Sequence, residues 1–313
     1  MVRIKESIDK KACQANTSGC RISRSALGVL TLALLLSTKG TLATPTPLGD
    51  YVVDSDYKVG TVDITFPSAI SDLFPAEYDL VQFSLGNNTV ILSETVYAGA
   101  FGGSAKAVGD DPFDPSTLYR NEDDVIFYCV DLFENLNKGT STYDVLNVSQ
   151  DTVVTQKVII NNKEITVQRD FGNVLDFLGA LNWVLETKAY GLKYGDQNWL
   201  NPTDGWMSGA IQVGIWESLY DTGGEIDNGD FRVSGTGTGN KNLSTKGSAL
   251  LKETFDRMAE SENVSLNSNK VLWFHQAGGQ DLLGDPVPVP APGTLVLLLS
   301  GLFLLQRNRI KVL

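Results

Sequence analysis

The chain has 313 residues, with 25 Lys/Arg against 37 Asp/Glu, a net charge of −12 and 42% hydrophobic residues. Ten of the basic residues lie at the two ends, seven in residues 1–43 and three in the C-terminal tail, so the stretch between them holds 15 basic and 35 acidic residues. So acidic a middle excludes nucleic acid as a partner, because phosphate binding needs a basic footprint.

Residues 1–43 form the first unit. Arg3, Lys5, Lys10, Lys11, Arg21 and Arg24 precede an uncharged, mostly apolar run from Ala26 to Ser37, and Thr41-Leu42-Ala43 supplies small residues two apart. This is the pattern of a secretory signal peptide with a long basic region, with cleavage expected after Ala43. The acidic remainder then suits solubility outside the cell.

Strand signals follow. Val62–Phe66, Leu80–Leu85, Thr89–Ser93 and Val125–Leu132 are rich in β-branched and aromatic residues. Between the last two, Gly102-Gly103 and the acidic Asp110-Asp111-Pro112-Phe113-Asp114-Pro115 read as loop. Val153–Ile160 and Glu164–Val167 flank Asn161-Asn162 as a hairpin. The period then changes from two to 3.6. Val174, Leu175, Leu178, Leu181 and Leu185 share one face of a helix from about Phe171 to Tyr190. A second helix is expected near Trp206 to Tyr220, and a third from about Thr245 to Ser261 with Leu250, Leu251, Phe255 and Met258 inward. Lys270–Phe274 reads as a closing strand, and everything from Gly278 as linker. The fold class expected is α+β: a β-rich first half, as an antiparallel sheet or sandwich, packed on a helical subdomain of about three helices. The corresponding division is signal peptide 1–43, N-terminal β region 44–94, main domain 95–277, linker 278–286 and tail 287–313.

The tail has three parts: prolines at 286, 288, 290 and 292, an apolar run from Gly293 to Leu305, and basic residues Arg307, Arg309 and Lys311. As a helix the 13-residue run spans about 20 Å, less than the ~30 Å hydrocarbon core. A short span followed by positive charge stops in the inner membrane with its basic end in the cytoplasm. It reads as a segment to be recognised and cut, the alternative being an ordinary C-terminal anchor. Together the two ends resemble the PEP-CTERM class of exported bacterial proteins. Pro290-Ala291-Pro292 departs from the name-giving motif in having Ala291 where its glutamate would sit. The resemblance implies transient inner-membrane insertion, processing by an exosortase-type enzyme, and delivery to the cell surface or extracellular matrix.

Cysteine and histidine counts narrow the chemistry. Cys13 and Cys20 leave with the signal peptide, so Cys129 is alone in the mature chain and no intramolecular disulfide is available. His275 is the only histidine, which argues against a Cys/His zinc site. No nucleophile-elbow motif accompanies it, so the chain does not read as a conventional enzyme, and His275 reads as the end of a strand. No cofactor is implied. A hydrolase acting on matrix polymers would need paired carboxylates that the sequence does not single out.

Two segments carry candidate chemistry: Phe127-Tyr128-Cys129-Val130-Asp131-Leu132, a cysteine in a strand pattern, and Ala210-Ile211-Gln212-Val213-Gly214-Ile215-Trp216, a glutamine on an apolar helix. They resemble, in order, the two halves of the Cys–Gln thioester domains of bacterial surface adhesins. Ala180-Leu181-Asn182-Trp183 is similar to the helix that precedes the glutamine motif there. The likeness spans roughly residues 95–275. It implies a Cys129–Gln212 thioester, shielded from water by Tyr128 and Trp216, that captures an amine or hydroxyl on a polysaccharide or cell-surface target. The alternative is a non-covalent structural protein of an exopolysaccharide or biofilm matrix, with Cys129 buried as a small hydrophobe and Gln212 hydrogen-bonded to backbone. Asp221, Glu225, Asp227, Asn228 and Asp230 supply hard oxygen ligands suited to calcium, with Asp227 and Asp230 as the weak candidates, but they lack EF-hand spacing. A solvated turn is the simpler reading.

Overall fold

A computed structural model describes residues 46–47, 57–86, 92–108, 122–160, 162–188, 190–221, 223–233, 243–261 and 264–284. The expected signal peptide with Ala43, the acidic run at 110–115, and the tail with Pro290, Ala291, Pro292, Arg307 and Arg309 lie outside these residues. No helix among the described residues is long and apolar enough to cross a membrane.

The chain is mixed α+β, and every strand pair among the described residues is antiparallel. The strands are β1 (Thr46–Pro47), β2 (Lys58–Phe66), β3 (Asp79–Leu85), β4 (Leu92–Ala98), β5 (Phe101–Ala107) and β6 (Glu122–Cys129). After them come β7 (Gly139–Asn147), β8 (Val153–Ile160), β9 (Lys163–Asp170), β10 (Phe231–Val233), β11 (Leu272–His275) and β12 (Leu282–Gly284). The helices are a single turn α1 (Ile70–Leu73), then α2 (Phe171–Thr187), α3 (Gly205–Tyr220) and α4 (Thr245–Glu260).

Six strands close a barrel in the order β11-β12-β6-β5-β2-β7. Two small sheets, β10-β3-β4 and β1-β8-β9, flank it. The β part is therefore antiparallel, as expected, but it is a closed barrel with two small sheets, and the barrel takes β11 and β12 from beyond the helices. Closure leaves no barrel edge to aggregate, and residues alternating inward fill it. Phe66, Phe101, Phe127 and Phe274 meet edge-on, with Phe127 centred 5.8 Å from Phe66 and 5.2 Å from Phe274.

Several strands differ from expectation. Gly102 and Gly103 lie inside β5, where the lack of a side chain lets Pro75 and Phe66 approach. The third strand, expected at Thr89–Ser93, is β4 at Leu92–Ala98, which crosses the expected division at residue 94. β7, the long partner of β2, went unread because Gly139-Thr140-Ser141-Thr142 looks like loop. The stretch after Gly278 includes β12, whose Leu282 and Leu283 are fully buried between β6 and β11. Three residues are too few to show a period, so only the pairing identifies that strand.

The helices fall where their periodicity puts them. β9 runs straight into α2 because the Asp170 side chain accepts from the N–H groups of Gly172 and Asn173 at 2.9 and 3.2 Å. Ser244 caps α4 by accepting from Gly247 N–H at 3.0 Å. α3 is different: every residue except Trp206 is buried, its polar residues included. α2 and α4 pack on it, and its other sides meet β3, β4, β9 and β10.

A close approach at Gly179 fixes α2. A Cβ there would overlap the Val264 carbonyl oxygen and come within 2.6 Å of Leu266 N, in a segment tied to α2 by Leu266 N–H donating to Leu175 O at 2.8 Å. Alanine in place of a helical glycine ordinarily gains about 1 kcal/mol. Gly179→Ala should instead cost about 3 kcal/mol through overpacking against backbone that cannot give way. Chemical denaturation of the two proteins checks the sign.

Candidate functional site: the Cys129–Gln212 junction

The two halves of the barrel-end site are 83 residues apart in sequence and meet through a side-chain amide. Cys129 N–H donates to Gln212 Oε1 at 2.8 Å, and Gln212 Nε2 donates to Cys129 O at 2.8 Å. Both residues are fully buried. The register explains the contact. Phe101 of β5 pairs with Phe127 of β6, so the next partner on that side for Cys129 would be residue 99. The chain bends at Gly99, however, and β5 begins only at Phe101. The Gln212 carboxamide stands in for the missing peptide group and completes the ladder.

α3 supplies this cap as a row at spacing four. Ser208 Oγ accepts from Ala100 N–H at 2.7 Å, Gln212 takes Cys129, and Tyr220 Oη donates to Val130 O at 3.2 Å and accepts from Leu132 N–H at 3.3 Å. Trp216 occupies the remaining place in the row, with Phe83 and Phe231 centred 6.3 and 6.4 Å away. It lies one turn from Gln212, against β3 and β10.

Tyr128 points to the opposite face of β6 from Cys129. Its hydroxyl donates to Trp199 O at 2.9 Å, and the two rings are 5.7 Å apart. Trp199 is held in turn by Asn182 of α2, whose Oδ1 accepts Trp199 N–H at 2.9 Å while its Nδ2 donates to Asp196 O at 2.9 Å. The Asn182 of the preceding-helix motif thus sets the wall behind Tyr128.

Behind the junction lies a buried ionic network that the sequence reading missed. Asp131 and Arg169 are fully buried and 3.0 Å apart. Arg169 also donates to Tyr220 Oη at 2.7 Å and Gln156 Oε1 at 3.0 Å, with its guanidinium over the rings of Phe133 and Tyr220. Asp131 Oδ1 accepts Phe133 N–H at 2.6 Å. The Asp131 carbonyl accepts from Gln280 Nε2 at 2.9 Å and, at 3.6 Å, from the Cys129 thiol. The fully buried Asp281 takes Trp273 Nε1 at 3.0 Å, Gln276 N–H at 3.0 Å and His275 Nδ1 at 2.9 Å. His275 sits at the end of β11, as its sequence context suggested. The only sequence signal for this network was an aspartate two residues after the cysteine and an arginine closing a strand.

Burial dominates the electrostatics. It pushes the Cys129 thiol up to about 11, with the Asp131 and Asp281 carboxylates adding in the same direction. Burial raises Asp281 too, against the pull of His275. The thiol is therefore protonated at neutral pH, and the site has the dryness that a water-sensitive bond requires.

No family model, curated protein or solved structure matches the chain.

The acidic loop after α3 is organised as a turn. Asp221 accepts from the N–H groups of Gly223 at 3.1 Å, Phe231 at 3.2 Å and Asp230, leading the chain into β10. No group of three or more His, Cys, Asp or Glu among the described residues is arranged to hold a metal ion, Asp227 and Asp230 included.

Proposed function

We propose that the chain is an exported surface or matrix protein, sorted through its C-terminal tail by an exosortase-type enzyme, that attaches to its target through a Cys129–Gln212 thioester. The observation that carries the reading is the seat of the Gln212 carboxamide on Cys129 in a fully buried site. The thiol sulfur attacks Gln212 Cδ, the C–N bond breaks, and the thiol proton leaves with the amide nitrogen as ammonia. The Cys129 N–H, 2.8 Å from Oε1, is placed to stabilise the oxyanion that develops there. The reaction needs thiol and carboxamide held together, and the hydrogen bonds to the Cys129 backbone hold the carboxamide at that residue. An amine on the target then takes the acyl group as an amide and releases the thiol.

A second reading draws on the same hydrogen bonds. The carboxamide already satisfies a strand end, and a thiol raised to about 11 is a poor nucleophile. On that reading the protein is a non-covalent matrix component whose junction is structural.

Intact mass separates the two. The thioester reading expects the purified chain to be one ammonia lighter than its sequence, with Cys129→Ala and Gln212→Ala at full mass. Methylamine should add to the parent at Gln212 and expose a free thiol. Full mass in the parent, with Cys129 resisting alkylation until unfolding, would leave the structural reading.

A further inference from the structure

The other end of α3 holds a second site. Glu217 is fully buried, and neither of its carboxyl oxygens has a hydrogen-bond partner of normal geometry among the described residues. The adjacent Ser218 hydroxyl is also buried without one. Both line a half-open cavity of about 190 Å³, closed by Asn173 of α2, Asp221 at the end of α3, and Phe255 and Met258 of α4. At about 30 Å³ per water, the space suits a small group and is too small for a drug-sized ligand.

A buried acid beside a cavity, with no cation and no well-aligned donor, is costly. Burial holds Glu217 at about 8, and the charges of Asp221 and then Asp227 add to the rise, while the N–H groups of Gly224 and Glu225 act the other way. The two helices packed against it bring no charge into the cavity: α2 contributes Asn173, and α4 contributes Phe255, Met258 and Ala259. The wall is thus acidic at one end, with two carboxyl groups and no cation, and apolar along the side.

We propose that this cavity binds the ammonium head of a small alkylamine, such as a lysine side chain, with Glu217 as its counter-ion and Phe255 and Met258 along the alkyl stem. A bound ammonium neutralises the carboxylate and adds its donors to the N–H groups of Gly224 and Glu225 that act on it. Asp221 adds long-range attraction while its own oxygens hold the loop. A metal ion would leave the apolar wall without a role. Glu217 lies five residues beyond Gln212 on α3, on a different face of the helix, so this is a reversible docking site separate from the thioester junction.

The test titrates full-length Cys129→Ala protein, which has no thiol to trap an amine covalently, with n-butylammonium chloride at constant ionic strength. The signals followed are the amide resonances of Gly223 and Gly224. Saturable binding is expected at about pH 9 and should weaken at least about tenfold by about pH 6, because Glu217 takes up a proton while the ammonium keeps its charge. The isosteric Glu217→Gln should lose binding with its melting temperature at pH 6 unchanged or raised. Met258→Lys, which tethers an ammonium inside the cavity, should block the probe and remain folded. Equal binding of n-butanol, no saturation at about pH 9, or binding that survives Glu217→Gln would each overturn the proposal. None of these outcomes bears on the thioester.

Discussion

Gln212→Leu should destabilise the fold by about 3 kcal/mol, because leucine fills the same space while leaving the buried N–H and C=O of Cys129 with no partner on that side. The loss should appear as a lower denaturation midpoint with little change in its slope. Its companion, Cys129→Ala, discriminates between the two functional readings. If the junction is only hydrogen-bonded, alanine keeps the backbone groups that Gln212 uses and removes one buried sulfur, a cost of about 1 kcal/mol. If the thioester is formed, the same substitution also opens a covalent loop of 83 residues. By analogy with a disulfide closing a loop of that length, this would cost about 4 kcal/mol more. A mild Cys129→Ala beside a severe Gln212→Leu would count against the covalent bond, and two severe variants would count for it.

Arg169→Met is the other large effect. Asp131 is then left fully buried without its cation, which ordinarily costs about 3–5 kcal/mol. Tyr220 and Gln156 lose a donor at the same time. Adding Asp131→Asn should recover at least about half of the loss, since an amide is far cheaper to bury than a charge and still accepts Phe133 N–H. Urea denaturation of the parent, the single variant and the double variant measures the coupling. Equal stability of the single and double variants would mean that the charge at Asp131 is not what Arg169 serves. The junction should loosen along with the network, because the Asp131 carbonyl accepts a hydrogen bond from the Cys129 thiol and Tyr220 closes the strand at Val130.

Some of this was legible in the residues themselves. The leucine row from Leu175 to Leu185 marked α2 by its face at period 3.6, and the continuous apolar run around Gln212 marked α3, which is buried nearly all round. Val153–Ile160 and its return strand around Asn161-Asn162 marked the hairpin for a similar local reason: β-branched alternation and a residue that tolerates positive φ, as Asn162 does at 62°. Cys129 and Gln212 could be named as a pair, though only through motif order.

The rest depended on partners far away in the chain. β5 and β12 look like loop and linker because two glycines and a three-residue strand carry no periodic signal; pairing with β2, β6 and β11 makes them strands. Barrel closure likewise follows from β11 meeting β7, a long-range register that leaves no local trace. Sequence by itself determined which segments are helical and which glutamine lies on an apolar helix, since each rests on residue type and short-range spacing. Only the tertiary structure decided that β5 starts two residues too late to pair with Cys129. Gln212 fills that gap, and Asp131, Arg169 and Glu217 are sealed from water, because burial and hydrogen bonding belong to the packed chain as a whole.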